Sequence, residues 1–341
     1  MGSILTILVS VLIFGVLILS HEFGHFIVAR KCGVTVEEFA MGMGPVLWKK
    51  ETADTTYTIR AFPIGGFCQM KGEEAEEDKE PEEGSFSAIK PFKKILVLAA
   101  GSAMNFLVAI ILFFIIICMS GNVVTTTIDS VIADSPAMAA GMKSGDEIIT
   151  VDGKDLEKWE DLGGMIDSRG GEDVLFTVRG EDGTIRSISV TPYLDTESGS
   201  YKVGIVPKVG TNVLLAAKQA VQFIGVYIGL IFDVFRQLFG GQIGMEAFSG
   251  PIGATVMIGQ TISMGALYVL NIAASIAVSL GLFNLFPFPA LDGSRIMFAL
   301  IEWVKGSPVN PKWEGAVHTV GFVLLMGFAI FIAYKDIINL F

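Results

Sequence analysis

From Ile4 to Ser20 the chain carries no charged residue, and a helical pattern continues unbroken through His21-Glu22-Phe23-Gly24-His25. Three later runs have the same character: Ile95–Met119, Ile262–Phe283 and Val317–Ile338. Together with Ile4–Ala29, each is near the roughly 20 apolar residues that a bilayer-spanning helix requires. A fifth stretch, Val213–Leu238, is patterned differently. Its polar or small residues Lys218, Gln222, Gly225, Gly229, Asp233 and Arg236 recur at helical spacing and form one stripe. That pattern predicts a helix lying in the membrane interface rather than crossing it.

Between the second and third runs the period shortens. Residues 122–208 read as mostly β, with one or two short helices. Ser135-Pro136-Ala137 opens a turn of helix, Ile148–Val151 is a short apolar strand, and Asp152-Gly153 is a hairpin-type turn. After the first apolar run, Thr55–Arg60 alternates and Pro63-Ile64-Gly65-Gly66-Phe67 is glycine-rich. These suggest either a hairpin or small sheet, or a loop dipping into the membrane surface. A strand with an open edge there would pair with an extended substrate. The expected organisation is a membrane part over 1–121, a β-rich domain over 122–208, an interfacial helix and connector over 209–255, and a second membrane part over 256–341.

Composition narrows the class. Of 341 residues, 52% are hydrophobic and 17% charged, and the mean hydropathy is +0.61. These values describe an integral membrane protein. The net charge of −11 argues against a nucleic-acid partner, since phosphate contacts need Lys and Arg. Much of the acidity is local, in Glu73–Glu83, the pattern of a solvated loop. The three cysteines, Cys32, Cys68 and Cys118, show no metal-type spacing and read as free thiols. The N-terminus lacks a basic leader region and a small-residue cleavage site, so its apolar run reads as an uncleaved spanning helix.

Charge also sets direction. The first helix ends at Arg30 and Lys31, and the second starts beside Lys90, Lys93 and Lys94. Basic ends face the cytoplasm, which puts the β-rich domain outside. If 213–238 lies flat, residues 284–293 return to the depth of residues 21–25.

That depth matters for the chemistry. His21 and His25 are four residues apart, so on a helix they project from one face and can share a metal ion. Glu22 is then placed to take a proton from water. A catalytic zinc needs a third protein ligand. Asn284-Leu285-Phe286-Pro287-Phe288-Pro289-Ala290-Leu291-Asp292-Gly293 supplies a candidate. Its prolines forbid a regular helix, and a carboxylate at membrane depth is costly unless paired or bound to a cation. Asp292 fits the third ligand; the alternative is a cap on a helix starting at Ser294. His318, alone at the start of the last run, is the rival ligand. Asn284 could donate to a developing oxyanion or pair with the kinked backbone nearby.

An intramembrane HExxH, a distal N-x-x-P-x-P-x-L-D-G and a domain between them that resembles a circularly permuted PDZ domain together resemble the site-2 protease family. The closer resemblance is to its regulator-of-sigma-E protease branch, in a form with a single PDZ domain. Ala100-Gly101-Ser102-Ala103-Met104-Asn105 and Ser249-Gly250-Pro251-Ile252-Gly253 are further family-like stretches. The fold implied is a polytopic α-helical membrane protein of about four spans, with a membrane-associated β-hairpin and one inserted β-rich PDZ domain. The resemblance implies zinc held by His21, His25 and Asp292, with Glu22 activating water and Asn284 meeting substrate or oxyanion. Gly65, Gly66 and Phe67 would belong to the substrate-meeting hairpin. The implied substrates are transmembrane segments, usually cut once beforehand, such as anti-sigma factors or remnant signal peptides, and the implied setting is the bacterial cytoplasmic membrane. The competing classes are a membrane scaffold that uses a PDZ domain and a structural metal, and a zinc enzyme acting on lipid or soluble peptide.

Overall fold

The computed structural model describes residues 2–73, 82–196, 199–244 and 250–338. Residues 74–81 of the acidic stretch, and Ser249, lie outside the described residues. The chain divides into two compact units: Met1–Ile116 with Gln219–Phe341, and Ile117–Lys218.

In the first unit, helix α1 spans Gly2–Cys32 and carries Arg30 and Lys31 in its last turn, where cations complement the helix dipole. Gly33, at φ +90°, ends it with the left-handed residue that helix C-termini favour. Strands β1 (Val36–Glu51) and β2 (Thr56–Met70) pair antiparallel. The pairing is not a simple ladder. Phe39, Ala40 and Met41 each have two partners, Cys68, Phe67 and Gly66 on one side and Tyr57, Thr58 and Ile59 on the other. The hairpin therefore folds over on itself into a four-segment patch, bending at the positive-φ residues Gly42, Gly44 and Gly65. Among the described residues no strand lies beyond 66–70. Both the hairpin and the sheet expected from the sequence are thus present. Helix α2 spans Pro91–Ser120, with proline at the first position, where its missing N–H costs nothing.

The second unit contains β3 (Val123–Val131), α3 (Pro136–Ala139), β4 (Glu147–Val151), β5 (Lys154–Asp155), α4 (Trp159–Asp167), β6 (Val174–Arg179), β7 (Ile185–Val190), β8 (Tyr193–Leu194), β9 (Tyr201–Lys202) and β10 (Ile205–Gly210). Its main sheet has the order β10-β3-β4-β6-β7, with β5 on β4. Strand β6 shows why it folds: Val174, Phe176 and Val178 are wholly buried while Leu175 between them is exposed, the period of two of a half-buried strand. Asp152 and Gly153 both have positive φ, as the two-residue turn joining β4 to β5 demands. Ser135 caps α3 by accepting the Met138 N–H.

The chain then forms α5 (Val213–Phe239), α6 (Pro251–Met264), α7 (Ala266–Leu285), α8 (Asp292–Lys305) and α9 (Pro311–Ile338). One correction to the sequence reading is needed. The third apolar run is not one helix from Ile262, because Gly265 adopts φ +116° and separates α6 from α7. Side chains find this conformation costly and glycine does not. Five helices are long and apolar enough to cross a membrane, the stretch expected in the interface among them: Ile4–Cys32, Pro91–Ser120, Val213–Phe239, Ala266–Leu285 and Pro311–Ile338. Helix α5 packs its aromatic face on α2 and α7, with Phe113 stacked on Phe223 at 5.5 Å and Phe235 edge-on to Phe283 at 6.1 Å. At the start of α6, the buried carboxylate of Asp336 on α9 accepts the backbone N–H groups of Gly250 and Gly253, both at 2.9 Å.

Candidate metal centre

His21 and His25 lie one turn apart on the buried face of α1, at 9% and 6% exposure. Two glycines make that face possible. A Cβ on Gly24 would sit 2.3 Å from the Ala100 carbonyl oxygen, and one on Gly101 would sit 2.4 Å from His25 Nε2. Helices α1 and α2 thus cross with backbone almost touching, and the imidazoles lie over bare α2 backbone. One turn before Gly101, the Val97 carbonyl accepts from His25 Nδ1 at 2.8 Å. That bond puts the proton on Nδ1 and leaves a lone pair on Nε2, the arrangement a metal-ligating histidine requires.

Asp292 arrives from the other end of the chain. Helix α7 stops at Leu285, and the prolines of 286–291 keep the segment irregular until α8 begins at Asp292. The turn is tight: a Cβ on Gly293 would lie 2.2 Å from the Phe286 carbonyl oxygen. The capping alternative for Asp292 does not hold. It is the first residue of α8, the preceding Leu291 is the cap position, and no side chain caps the helix. The rival ligand His318 is elsewhere. Its Nδ1 accepts the backbone N–H of Ala290 at 3.1 Å, and Ala290 has φ +75°. His318 therefore holds the proline segment in shape and is absent from the group of potential metal ligands His21, His25 and Asp292.

Those three residues match the donor set and spacing of a zinc site. Asp292 Oδ2 is 3.1 Å from His21 Nε2 and 3.3 Å from His25 Nε2, and the two Nε2 atoms are 3.1 Å apart. Three ligands on one tetrahedral zinc at about 2.0–2.1 Å stand about 3.3–3.4 Å from each other. Asp292 Oδ2 is also buried without a hydrogen-bond partner, although two ring nitrogens face it. Lone pairs aimed at one point explain both facts, and a cation at that point satisfies all three.

Glu22 sits beside this cluster on α1, half-buried. Strand β2 runs along the same helix. The Pro63 carbonyl oxygen would be 3.5 Å from a Cβ on Gly15, and a Cβ on Gly66 would be 3.6 Å from Glu22 Cγ. The glycine-rich stretch therefore lies at the level of the glutamate, inside the apolar length of α1. Irregular backbone at that depth is tolerated where protein buries it or where it lines a wet cavity. Asn284 closes α7 with its Nδ2 at 3.4 Å from His21 Nε2. His21, Glu22, His25, Asn284 and Asp292 are thus brought to one place with Gly66 beside Glu22, and His318 is not among them. Sequence reasoning has Asn105, whose amide is 3.4 Å from His21 Nδ1, only as the end of a family-like stretch with no role assigned, and it misses the Val97 carbonyl. Asn105 left one signal, a buried amide inside an otherwise apolar helix.

Known proteins agree with this chemistry. The family model described as Peptidase family M50 matches residues 9–328. A candidate zinc metalloprotease of Clostridium perfringens is 38% identical, with 97% of this chain and 98% of that one aligned. The zinc metalloprotease RasP of Shouchella clausii is 30% identical over 98% of this chain and 99% of its own length. RasP of Geobacillus kaustophilus is 28% identical over 98% of both. The crystal structure of a PDZ domain from an SdrC-like protein of Listeria monocytogenes covers 25% of this chain at 22% identity, with a TM-score of 0.22.

Proposed function

The chain belongs to peptidase family M50, the site-2 type of zinc metalloprotease, and on that premise we propose that His21, His25 and Asp292 hold the zinc and that the substrates are transmembrane segments unwound at the β2 edge. The observation that carries this reading is the orphaned Asp292 oxygen converging with two imidazole nitrogens beside a carboxylate, Glu22.

Zinc supplies Lewis acidity and makes water deprotonable near neutral pH. Every other part of the chemistry comes from side chains. Glu22 accepts the proton of the attacking water and returns it to the leaving amine. The Asn284 amide donates to the oxygen on which negative charge develops. Asp292 and the two imidazoles stay in place because the Val97 carbonyl, Gly293 and the His318 bond fix their elements. Substrate enters extended, since a helix hides its peptide carbonyls in i to i−4 bonds. The segment Gly66–Met70, with no strand beyond it among the described residues, offers an edge for strand addition next to Glu22. Gly66 and Phe67 form the part of that edge nearest the site, and Gly65 is the bend that leads into it.

The same reading sets topology. Arg30, Lys31, Lys90, Lys93 and Lys94 mark the cytoplasmic side. Helix α2 then leads outward, and the insert that follows it is an extracytoplasmic PDZ domain. His318 and Asp336 are 18 residues apart on α9, about 27 Å, so Gly250, bound to Asp336, is at the far end from the site. Helix α5 itself runs along α7, with Tyr227 at Asn271 and Phe235 at Phe283, next to Asn284. An earlier cut outside the membrane would free a substrate segment to reach the site.

The test is cleavage of a membrane-embedded model substrate by purified protein. Activity that chelator abolishes, zinc restores and Glu22→Gln eliminates is the expected result. Cleavage by the Glu22→Gln protein at the normal rate would overturn it.

A further inference from the structure

His21 offers Nε2 to the cluster, so its proton must sit on Nδ1 and needs an acceptor. For His25 the Val97 carbonyl serves that purpose. Two amides are within reach of His21. Asn284 Nδ2 is 3.5 Å from Nδ1 and 3.4 Å from Nε2. Being nearly equidistant, it lies off the flank of the ring and not along the Nδ1–H direction. Asn105 approaches Nδ1 alone, at 3.4 Å, and is 1% exposed, so no solvent competes for it.

The neighbours of Asn105 decide how its amide is turned. Ser20 Oγ is 2.8 Å from the Leu17 carbonyl and 3.1 Å from Asn105 Oδ1. With Oδ1 toward Ser20, Asn105 Nδ2–H points at Nδ1, which would then have to be the acceptor. The ring proton would move to Nε2 and block metal ligation. A half-turn of the amide removes the conflict. Ser20 donates to Leu17, Asn105 Nδ2 donates to Ser20 Oγ, and Asn105 Oδ1 accepts from His21 Nδ1–H. Only this order gives Ser20 Oγ–H, one Asn105 Nδ2–H and His21 Nδ1–H an acceptor each and leaves Nε2 its lone pair.

We propose that Asn105, backed by Ser20, is a positioning residue that fixes the ring and tautomer of His21 for zinc, leaving Asn284 free for substrate. The proposal rests on the zinc reading of the site. His21→Ala tests that reading separately, because it should lose zinc outright.

The experiment uses the full chain purified in detergent, with zinc affinity read by competition against a chromophoric chelator. Partners of metal-bound histidines are worth about 10- to 100-fold in metal affinity, and Asn105→Ala should lose that much. Asn105→Asp keeps the shape and the accepting oxygen and should bind zinc within about threefold of wild type, while Asn284→Ala should match wild type. A role confined to packing would instead lower affinity in Asn105→Ala and Asn105→Asp alike, in step with the unfolding midpoint of the metal-free protein. A readout free of substitution is nitrogen NMR of zinc-loaded wild type with labelled histidine. His21 should show a slowly exchanging Nδ1–H. An Nδ1 without a proton, wild-type affinity in Asn105→Ala, or equal losses in the Ala and Asp variants would each overturn the assignment.

Discussion

Gly101→Ala is the sharpest test of how the centre is built. The added methyl carbon would stand 2.4 Å from His25 Nε2, 2.6 Å from His21 Cε1 and 2.8 Å from His21 Nδ1, whereas ordinary contact begins at 3.4 Å. Relief requires the His25 ring to retreat by about 1 Å, well beyond the ±0.2 Å that metal–ligand distances tolerate. Backing α2 away instead would carry off the Val97 carbonyl bonded to His25 Nδ1, so the ring loses its position either way. Zinc affinity should therefore fall by at least the 10- to 100-fold that disturbing ligand orientation costs. The helix itself gains from the change, since Ala is favoured over Gly by about 1 kcal/mol in a helix interior. The expected signature is a protein that binds zinc poorly by equilibrium dialysis yet unfolds no more easily when metal-free. Gly229→Ala is the control, since a Cβ there meets nothing within 4 Å. Wild-type zinc affinity in Gly101→Ala would refute the close-crossing account.

Other expectations follow from the same geometry. Glu22→Gln should abolish cleavage while metal analysis finds zinc near the normal level, since the carboxamide can take no proton. Asp292→Asn should lower zinc occupancy of purified protein, and full occupancy would remove Asp292 from the ligand set. His318→Ala should leave zinc bound but lower stability by about 1–3 kcal/mol, the cost of stranding the partly buried Ala290 N–H, seen as an earlier thermal transition. In the β unit, the Leu175 N–H, against the opposing effect of burial and with help from Arg169, holds the Asp152 carboxyl below the usual aspartate range. Its stabilising effect is complete above the unfolded value, about 3.9, and is lost as pH falls through the lower folded value. Asp152→Asn, which tolerates the turn's positive φ, should flatten the acid limb of unfolding monitored by strand circular dichroism.

Much of the site was legible because its determinants are local. The four-residue spacing of His21 and His25 needs only a helix, and Pro287 and Pro289 announce broken backbone wherever they stand. Asp292 was found by cost, as a carboxylate with no reason to be there. What escaped were contacts made by residues far apart in sequence. Gly24 and Gly101 look like ordinary small residues until two helices cross there. The Val97 carbonyl is invisible in any sequence, and Asn105 acquires meaning only from a ring on another helix. The double pairing of β1 likewise depends on a fold-over that alternation along Thr55–Arg60 cannot encode. Gly265 was passed over because one glycine in an apolar run is compatible with a helix, and its positive φ is a tertiary outcome.

The two halves of the centre also have a history. His21 and His25 leave the ribosome early, and Asp292 follows some 270 residues later, which at about 5–20 residues per second is roughly 13–55 s of synthesis. During that interval the growing chain sits in the bilayer among other newly inserted proteins with two imidazoles and no carboxylate to complete them. Splitting the proposed ligands between α1 and α8 delays competence until some 270 residues beyond the histidines have been made. A truncated product would be harmless to its neighbours for the same reason.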